Sequence, residues 1–461
     1  MRILSHRLLT LVILLSAVYS WAQPSPIKME RYNDDFSFLQ NDTVVKKGLE
    51  KLKYISTGSS KDSYISFGGE VRGWYELRKN PNFGDLPPGQ VEVKNGTYQH
   101  RLMLHADWNI NKKLRFFTQI NSTLEFGNPN PPIPEIIVDG LGVHQAFLEI
   151  QFSKNFALRA GRQEYSFGNE LLISSREGPN NRQPFDGLTL LANGDNHNTE
   201  FFVATPVIIN PELFDNTHIN EWMWGAYTEL KPKKEHRLDV YYLGFYSERR
   251  AFNFIPGNQH RHSFGTRLWK HTGNWFYDAD FVYQTGNFNA QLINAWNATG
   301  EVRYVFQNAK WKPMVGLGAS YVSGDYNAND NQLNTYDPMY PKPVYGLAMP
   351  QGPSNISHIR PVFGLAPLPH LFINFNWYWL TRASNQDGTY TPSMIQVRPF
   401  PEMNSDKYIV GTQYSLDIFY TINKNLMFIT FLSYVDPGAY IKETGSGLPT
   451  FFWASMLQFK F

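Results

Sequence analysis

The side chains with most capacity for chemistry are arginines and carboxylates two residues apart. Glu70 precedes Arg72, Asp278 precedes Asp280, and Glu301 precedes Arg303. A spacing of two places such groups on one face of a β-strand. Carboxylates so placed could serve acid–base chemistry on a glycosidic bond. Arginines so placed could hold carboxylates bidentately, or pair with acids on neighbouring strands and stiffen the sheet. A hydrolase would also need a Ser or His constellation, and no local motif supplies one. The 12 histidines are scattered, with one tight group, His260-Arg261-His262, which reads as the opening of a strand from an outer loop. Asn329, Asp330, Asn331 and Asp337 offer hard oxygens for Ca2+ in a 324–354 loop, but without EF-hand spacing. Asn-rich loops of this kind are more often plain turn chemistry. The expectation is no catalytic residue and no cofactor other than Ca2+ in that loop.

The elements that position these groups have an apolar period of two. Ile65, Phe67, Val71, Tyr75 and Leu77 alternate with Ser66, Glu70, Arg72, Glu76 and Arg78, and the same pattern recurs at 98–107, 114–125, 296–306 and 373–382. One face suits lipid and the other water, which is the alternation of a transmembrane barrel strand. The links alternate in length. Short ones fall at 111–113, 153–155, 193–196, 231–235, 271–274, 307–313, 367–370 and 422–425. Long ones fall near 79–96, 127–142, 167–184, 206–220, 249–260, 286–294, 324–354, 382–406 and 435–450. Short turns on one side and long loops on the other predict an all-β, antiparallel outer-membrane barrel of about 18 strands. Its last strand, 451–461, ends on Phe461, a terminal aromatic of the kind that barrel assembly machinery recognises.

Composition agrees. Aromatic residues make up 16% of the 461, yet mean hydropathy is negative, so apolar surface lies on one face only. Arg2 and Arg7 precede an apolar run at 8–18, then Ser20 and Ala22 precede Gln23, the anatomy of a secretory signal peptide over 1–22. Its removal takes two arginines and no acid from a formal charge of +2, leaving a neutral chain with no charge-based reason to bind nucleic acid. No cysteine is present, which excludes disulfides and thiolate metal sites. Residues 23–60 are polar and unpatterned; they read as a periplasmic segment with a short helix near 43–54, ahead of a barrel over 61–461, with an inward-folded plug as the alternative, though about 40 residues is small for one.

A barrel this wide leaves an aqueous channel unless loops narrow it. Parity turns Arg72, Arg101, Arg115, Arg159, Arg237, Arg267, Arg303 and Arg382 inward, together with Glu70, Glu76, Asp107, Glu125, Glu149, Asp239, Asp278, Asp280, Glu301 and Asp417. The loops at 324–354 and 382–406 are the candidates to fold in and set the bore.

The stretch 158–190, LRAGRQEYSFGNELLISSREGPNNRQPFDGLTL, resembles the alginate export porin family. Arg159, Gly161, Arg162, Gln163, Phe167, Gly168, Phe185, Asp186 and Gly187 stand at the places of its pattern. Ser323-Gly324-Asp325, Tyr336–Pro341 as YDPMYP, and Val435-Asp436-Pro437-Gly438 are similar to its later motifs. The resemblance spans about 70–461 and implies an 18-stranded channel in which an Arg-rich constriction conducts an anionic polyuronate. It implies that Arg72, Arg101 and Arg159 are lumen arginines near the constriction, with Arg162 beside them despite its opposite parity. The function read is a channel in the bacterial outer membrane passing an anionic solute such as an acidic polysaccharide. Its many lumen acids also fit a general or neutral-oligosaccharide porin. A barrel enzyme, or a receptor using loops without throughput, are the other classes.

Overall fold

The computed structural model describes residues 26–461 except 42, 87–88, 132–135 and 233–234. The signal-peptide reading at 1–22 lies outside the described residues. Eighteen antiparallel strands form one closed sheet. In chain order they are β1 (Tyr64–Lys79), β2 (Thr97–Asn111), β3 (Leu114–Phe126), β4 (Asp139–Gln151), β5 (Phe156–Gln163) and β6 (Phe185–Asn193). There follow β7 (His197–Ile208), β8 (Glu221–Leu230), β9 (Arg237–Phe252), β10 (Ile255–Lys270), β11 (Trp275–Phe288) and β12 (Gln291–Val305). The last six are β13 (Met314–Val322), β14 (Ile356–Leu368), β15 (Leu371–Arg382), β16 (Ile409–Thr421), β17 (Leu426–Pro437) and β18 (Thr450–Lys460). Each pairs with its neighbour in sequence, and β18 closes on β1 with Lys460 opposite Glu70 and Phe451 opposite Lys79. Closure removes the unpaired edges that a lipid environment forbids. Among the described residues no helix is long and apolar enough to cross a membrane.

The alternation decides which side chains meet lipid. Phe67, Leu104, Phe116, Leu190, Phe264, Val302, Phe363 and Trp453 are exposed on the outer face. Arg72, Arg101, Gln119, Arg159, Asp239 and Arg267, of the opposite parity, are buried in the lumen.

Two links read as long loops are tight hairpins. Strands β9 and β10 pair as far as Phe252 and Ile255, and β11 and β12 as far as Phe288 and Gln291. Asn253 and Phe254 take positive φ of 48° and 60°, and Asn289 takes 50°, the left-handed backbone a two-residue turn needs. The polar residues that suggested loops are the protruding tips of long strands. His260-Arg261-His262 accordingly lies within β10 rather than at its mouth. Arg261 is buried in the lumen and hydrogen-bonds Gln284, Gln259 and the carbonyl of Thr335, while His262 meets the Tyr242 hydroxyl at 2.8 Å.

The N-terminal segment differs from a tail lying wholly outside. It carries a short 3-10 turn at Gly48–Leu52, and Lys424 of a short turn holds Glu50 at 2.8 Å. Upstream, the chain runs into the short-turn mouth. Arg31 donates to the main-chain oxygens of Gly69 (2.8 Å) and Phe461 (2.7 Å), and Arg115 and Arg182 donate to those of Tyr32 (2.5 Å) and Met29 (3.1 Å). A polar stretch can enter because Arg115 of the wall and Arg182 of the inward loop satisfy its carbonyls.

Candidate functional site: a lumen divided by folded-in loops

The lumen is narrowed by two segments, and the residues that launch them carry the sequence motifs. The first leaves β5 at Gln163 and returns at Phe185. Gly161, at φ 127°, sits so close to β4 that a Cβ would stand 2.3 Å from the Ala146 carbonyl. Gln163 donates to the carbonyls of Gly161 and Gly187 and accepts from the Thr189 hydroxyl, tying the two roots of the loop together. Gly187 is equally cramped, its Cβ position 2.5 Å from the Val203 carbonyl. At Gly168, φ is 60°. Arg162 grips Asp186 through two hydrogen bonds of 2.8 and 3.0 Å, and Thr217 donates to the same carboxylate. Arg162 therefore does not line the lumen. Its outward parity holds, and it braces the wall where the 209–220 link folds against the barrel.

The second segment leaves β13 at Ser323-Gly324-Asp325. Ser323 accepts from the Trp296 amide and donates to the Asn334 carbonyl. A Cβ on Gly324 would lie 2.2 Å from Asn355 Oδ1. Asn355 in turn donates to the carbonyls of Ser384, Asp387 and Gly388. Asp387 accepts from the Asp325 amide (2.9 Å), Thr335 (2.6 Å) and Tyr390 (2.7 Å). Burial raises the Asp387 carboxyl, and burial together with Asp387 raises Asp325 to about 6. Three of the family-like residues are thus the joint between the 323–355 and 383–408 loops.

The two inward segments meet in mid-lumen. Across a short parallel bridge between Ile173 and Tyr340, the Ser174 amide donates to the Tyr340 carbonyl, the Tyr340 amide to the Leu172 carbonyl, and the Lys342 amide to the Glu170 carbonyl. Arg250 and Gln259 fix Asp337 at 2.9 and 2.8 Å, and burial notwithstanding, Arg250 and Arg261 hold its carboxyl below the usual range. Asp337 is therefore engaged inside the lumen, whereas Asn329, Asp330 and Asn331 are exposed. The four do not stand in one environment, so the Ca2+ reading gains no support from their placement.

Some wall arginines bind this partition, and others pair with acids of the wall itself. Arg72 donates to the carbonyls of Glu177 (3.0 Å) and Pro179 (2.8 Å) and to Asn180 Oδ1. Arg101 meets Glu70 and Glu177, each at 2.7 Å. Burial raises the Glu177 carboxyl, but Arg101 and Arg182 outweigh it and hold it well below its ordinary value. Arg159 pairs with Glu149 (2.8 Å) and stacks under Tyr32 of the entering segment at 4.4 Å. Arg267 takes Asp278 (2.5 Å) and Asp239 (3.2 Å). Arg303 and Arg360 share the single carboxylate of Glu301. Arg382 donates to the carbonyls of Ser405 and Lys407 and stacks on Tyr440 at 3.8 Å, so it anchors the outer loops. Parity found Arg72, Arg101, Arg159, Arg267 and Arg303. It left out Arg360, whose strand is interrupted by Pro361, and Arg182, which no strand pattern could place.

What remains open is a chain of three cavities. An outer one of ≈ 870 Å3 meets a second of ≈ 490 Å3 at Trp74, Gly178, Pro343, Gly346 and Leu347. The second adjoins a third of ≈ 700 Å3 at Glu170, Lys342, Pro343, Asn376, Tyr378 and Asp417. Arg72 and Lys460 line the second, and Arg267, Arg303 and Arg360 the third.

The barrel resembles solved outer-membrane porins. OccAB3 of Acinetobacter baumannii matches at TM-score 0.59 and 12% identity, covering 86% of this chain and 99% of that one. OccAB1 of the same organism gives 0.57 and 13% over 89% and 99%, and OccK3 (OpdO) of Pseudomonas aeruginosa 0.57 and 11% over 86% and 95%. At such identities the likeness is one of fold. No curated protein matches the chain in sequence. The alginate export family model matches residues 63–454. Closed by eighteen strands and matched over nearly all of them, the chain belongs to the alginate export family of outer-membrane channels.

Proposed function

We propose that this channel passes a small anionic solute, or an acidic polysaccharide in single file, across the bacterial outer membrane by way of Arg72, Arg303, Arg360 and Lys342. The observation that carries the reading is an imbalance of partners. Arg303 and Arg360 share one carboxylate, and the contacts of Arg72 with the loop are to carbonyls and an amide rather than to an acid. Arg72 Nε, Arg303 Nη1 and Arg360 Nε have no hydrogen-bond partner among the described residues. Excess positive charge in a low-dielectric lumen raises the local concentration of anions. The likeness to the family supports the same choice.

A neutral-oligosaccharide or general porin is the second reading, favoured by the acids that accompany these cations, Glu170, Glu229, Asp278 and Asp417 among them. Permeability ratios decide between the two. Arg303→Gln combined with Arg360→Gln leaves Glu301 uncompensated and should turn anion preference into cation preference. An unchanged ratio would remove the anionic reading.

Cleavage after Ala22 and recognition of the strand ending in Phe461 by assembly machinery belong to the same proposal. No residue is assigned a catalytic role.

A further inference from the structure

One sector of the lumen is apolar where a water-filled barrel should be polar. On β16–β18 and β1 the inward positions include Phe419, Met427, Phe431, Phe452, Met456 and, on β1, Trp74, on the side of the wall facing away from lipid. Their outward neighbours Phe428, Tyr434, Trp453 and Leu457 supply the lipid face, so the inward set is not needed for insertion. Higher in the lumen the folded-in loop covers this sector with Tyr345, Ala348 and Met349. Below that cover the wall borders the ≈ 490 Å3 cavity. A cavity of this size is in the range of small-molecule sites, which are mostly apolar with a few polar groups fixing orientation. Methionine and phenylalanine there give a surface that adapts to its occupant.

Charges stand at the margin of this surface. Arg72 and Lys460 lie on the strands that carry it, and Lys28 and Lys342 reach the same cavity from the entering segment and the inward loop. Lys460 lies 3.7 Å from Glu70, and Lys342 lies 3.5 Å from Glu170. The Glu177 carboxylate, whose main-chain oxygen accepts from Arg72, is already committed to Arg101 and Gln458.

Resting on the channel reading above, we infer that this cavity is a subsite for a monocarboxylate carrying an apolar body of roughly six or more carbons, its carboxylate toward Arg72 and Lys460 and its body against Phe431, Met427 and Met456. Burying the body removes apolar area from water on both partners. A purely hydrophilic anion would gain nothing from this wall.

The test uses the purified mature protein in planar bilayers, with octanoate, 3-phenylpropionate, acetate and glucuronate as blockers, each checked on protein-free bilayers. The expected result is half-block by octanoate or 3-phenylpropionate at about one-tenth the acetate concentration or lower, with glucuronate resembling acetate. Octanoate alone would identify an acyl groove and 3-phenylpropionate alone a flat aromatic slot; either supports the subsite. Phe431→Asn combined with Met427→Asn should bring the octanoate-to-acetate ratio toward one. Equal block by all four in the wild type, or a ratio unmoved in the variant, overturns the subsite while leaving the channel intact. Absence of any current overturns the channel reading and the subsite with it.

Discussion

Arg101 on the barrel wall and Glu177 at the tip of an inward loop, 76 positions apart in sequence, meet at 2.7 Å, the arginine buried and the carboxylate largely so. The same Glu177 binds Arg182 at 3.2 Å, and its main-chain oxygen accepts from Arg72. One loop carboxylate thus secures the loop to the wall. Removing Glu177 breaks this contact between loop and wall, while Arg101 keeps Glu70 and Arg182 keeps Glu164. Glu177→Ala should therefore release residues 164–184, measured as faster proteolysis of that segment and a larger single-channel conductance than wild type.

The segment from Ile27 to Tyr32 occupies the short-turn mouth, held by Arg31, Arg115, Arg159 and Arg182. A chain lacking residues 26–34 should conduct more than the full mature chain, because those side chains lose their cover and the cavities of ≈ 490 and ≈ 700 Å3 lose a wall. Equal conductance of the two would place the narrowing elsewhere, at the contact between the loops.

The joint of the outer loops is sensitive to pH. Burial and Asp387 raise Asp325 to about 6 from an ordinary value near 3.8. A raised carboxyl favours the protonated form in the folded joint. Stability is therefore fully present below the ordinary value and falls as pH rises toward about 6. Hydrogen exchange of residues 383–398 should accelerate between pH 4 and about 6. In Asp325→Asn the rate, corrected for intrinsic exchange, should rise less over that interval, because only the buried Asp387 carboxyl remains raised.

Gly161→Ala is expected to weaken the barrel. Its φ of 127° is one that L side chains rarely adopt, and the added methyl would press on the Ala146 carbonyl. The cost is about 1–3 kcal/mol, readable as a lower temperature for the heat-induced gel shift of the folded barrel.

Strand parity in the sequence was enough to place the wall. The inward sets around Arg72, Asp278 and Glu301 are where alternation puts them, because each depends only on residues two apart. The hairpins at Asn253 and Asn289 were not legible, since polar strand tips outside the membrane carry the same residues as loops. Nor was the partition. Arg72 meets Pro179 and Arg250 meets Asp337 across gaps of 107 and 87 positions that no periodicity encodes. Arg162 illustrates how a motif can mislead: its neighbours Gly161 and Gln163 root the inward loop, but its own side chain faces outward to Asp186. The apolar sector around Phe431 was overlooked for a different reason. On β17 apolar residues occupy both faces, and alternation gives no signal there.

The measurement that bears most directly on the account is the reversal potential of the refolded mature protein in a planar bilayer under a salt gradient, repeated with an oligouronate and then with a neutral oligosaccharide of equal length. The lumen described here predicts anion selectivity and block by the oligouronate alone. Conductance with no preference for charge, or block by the neutral sugar, would contradict it.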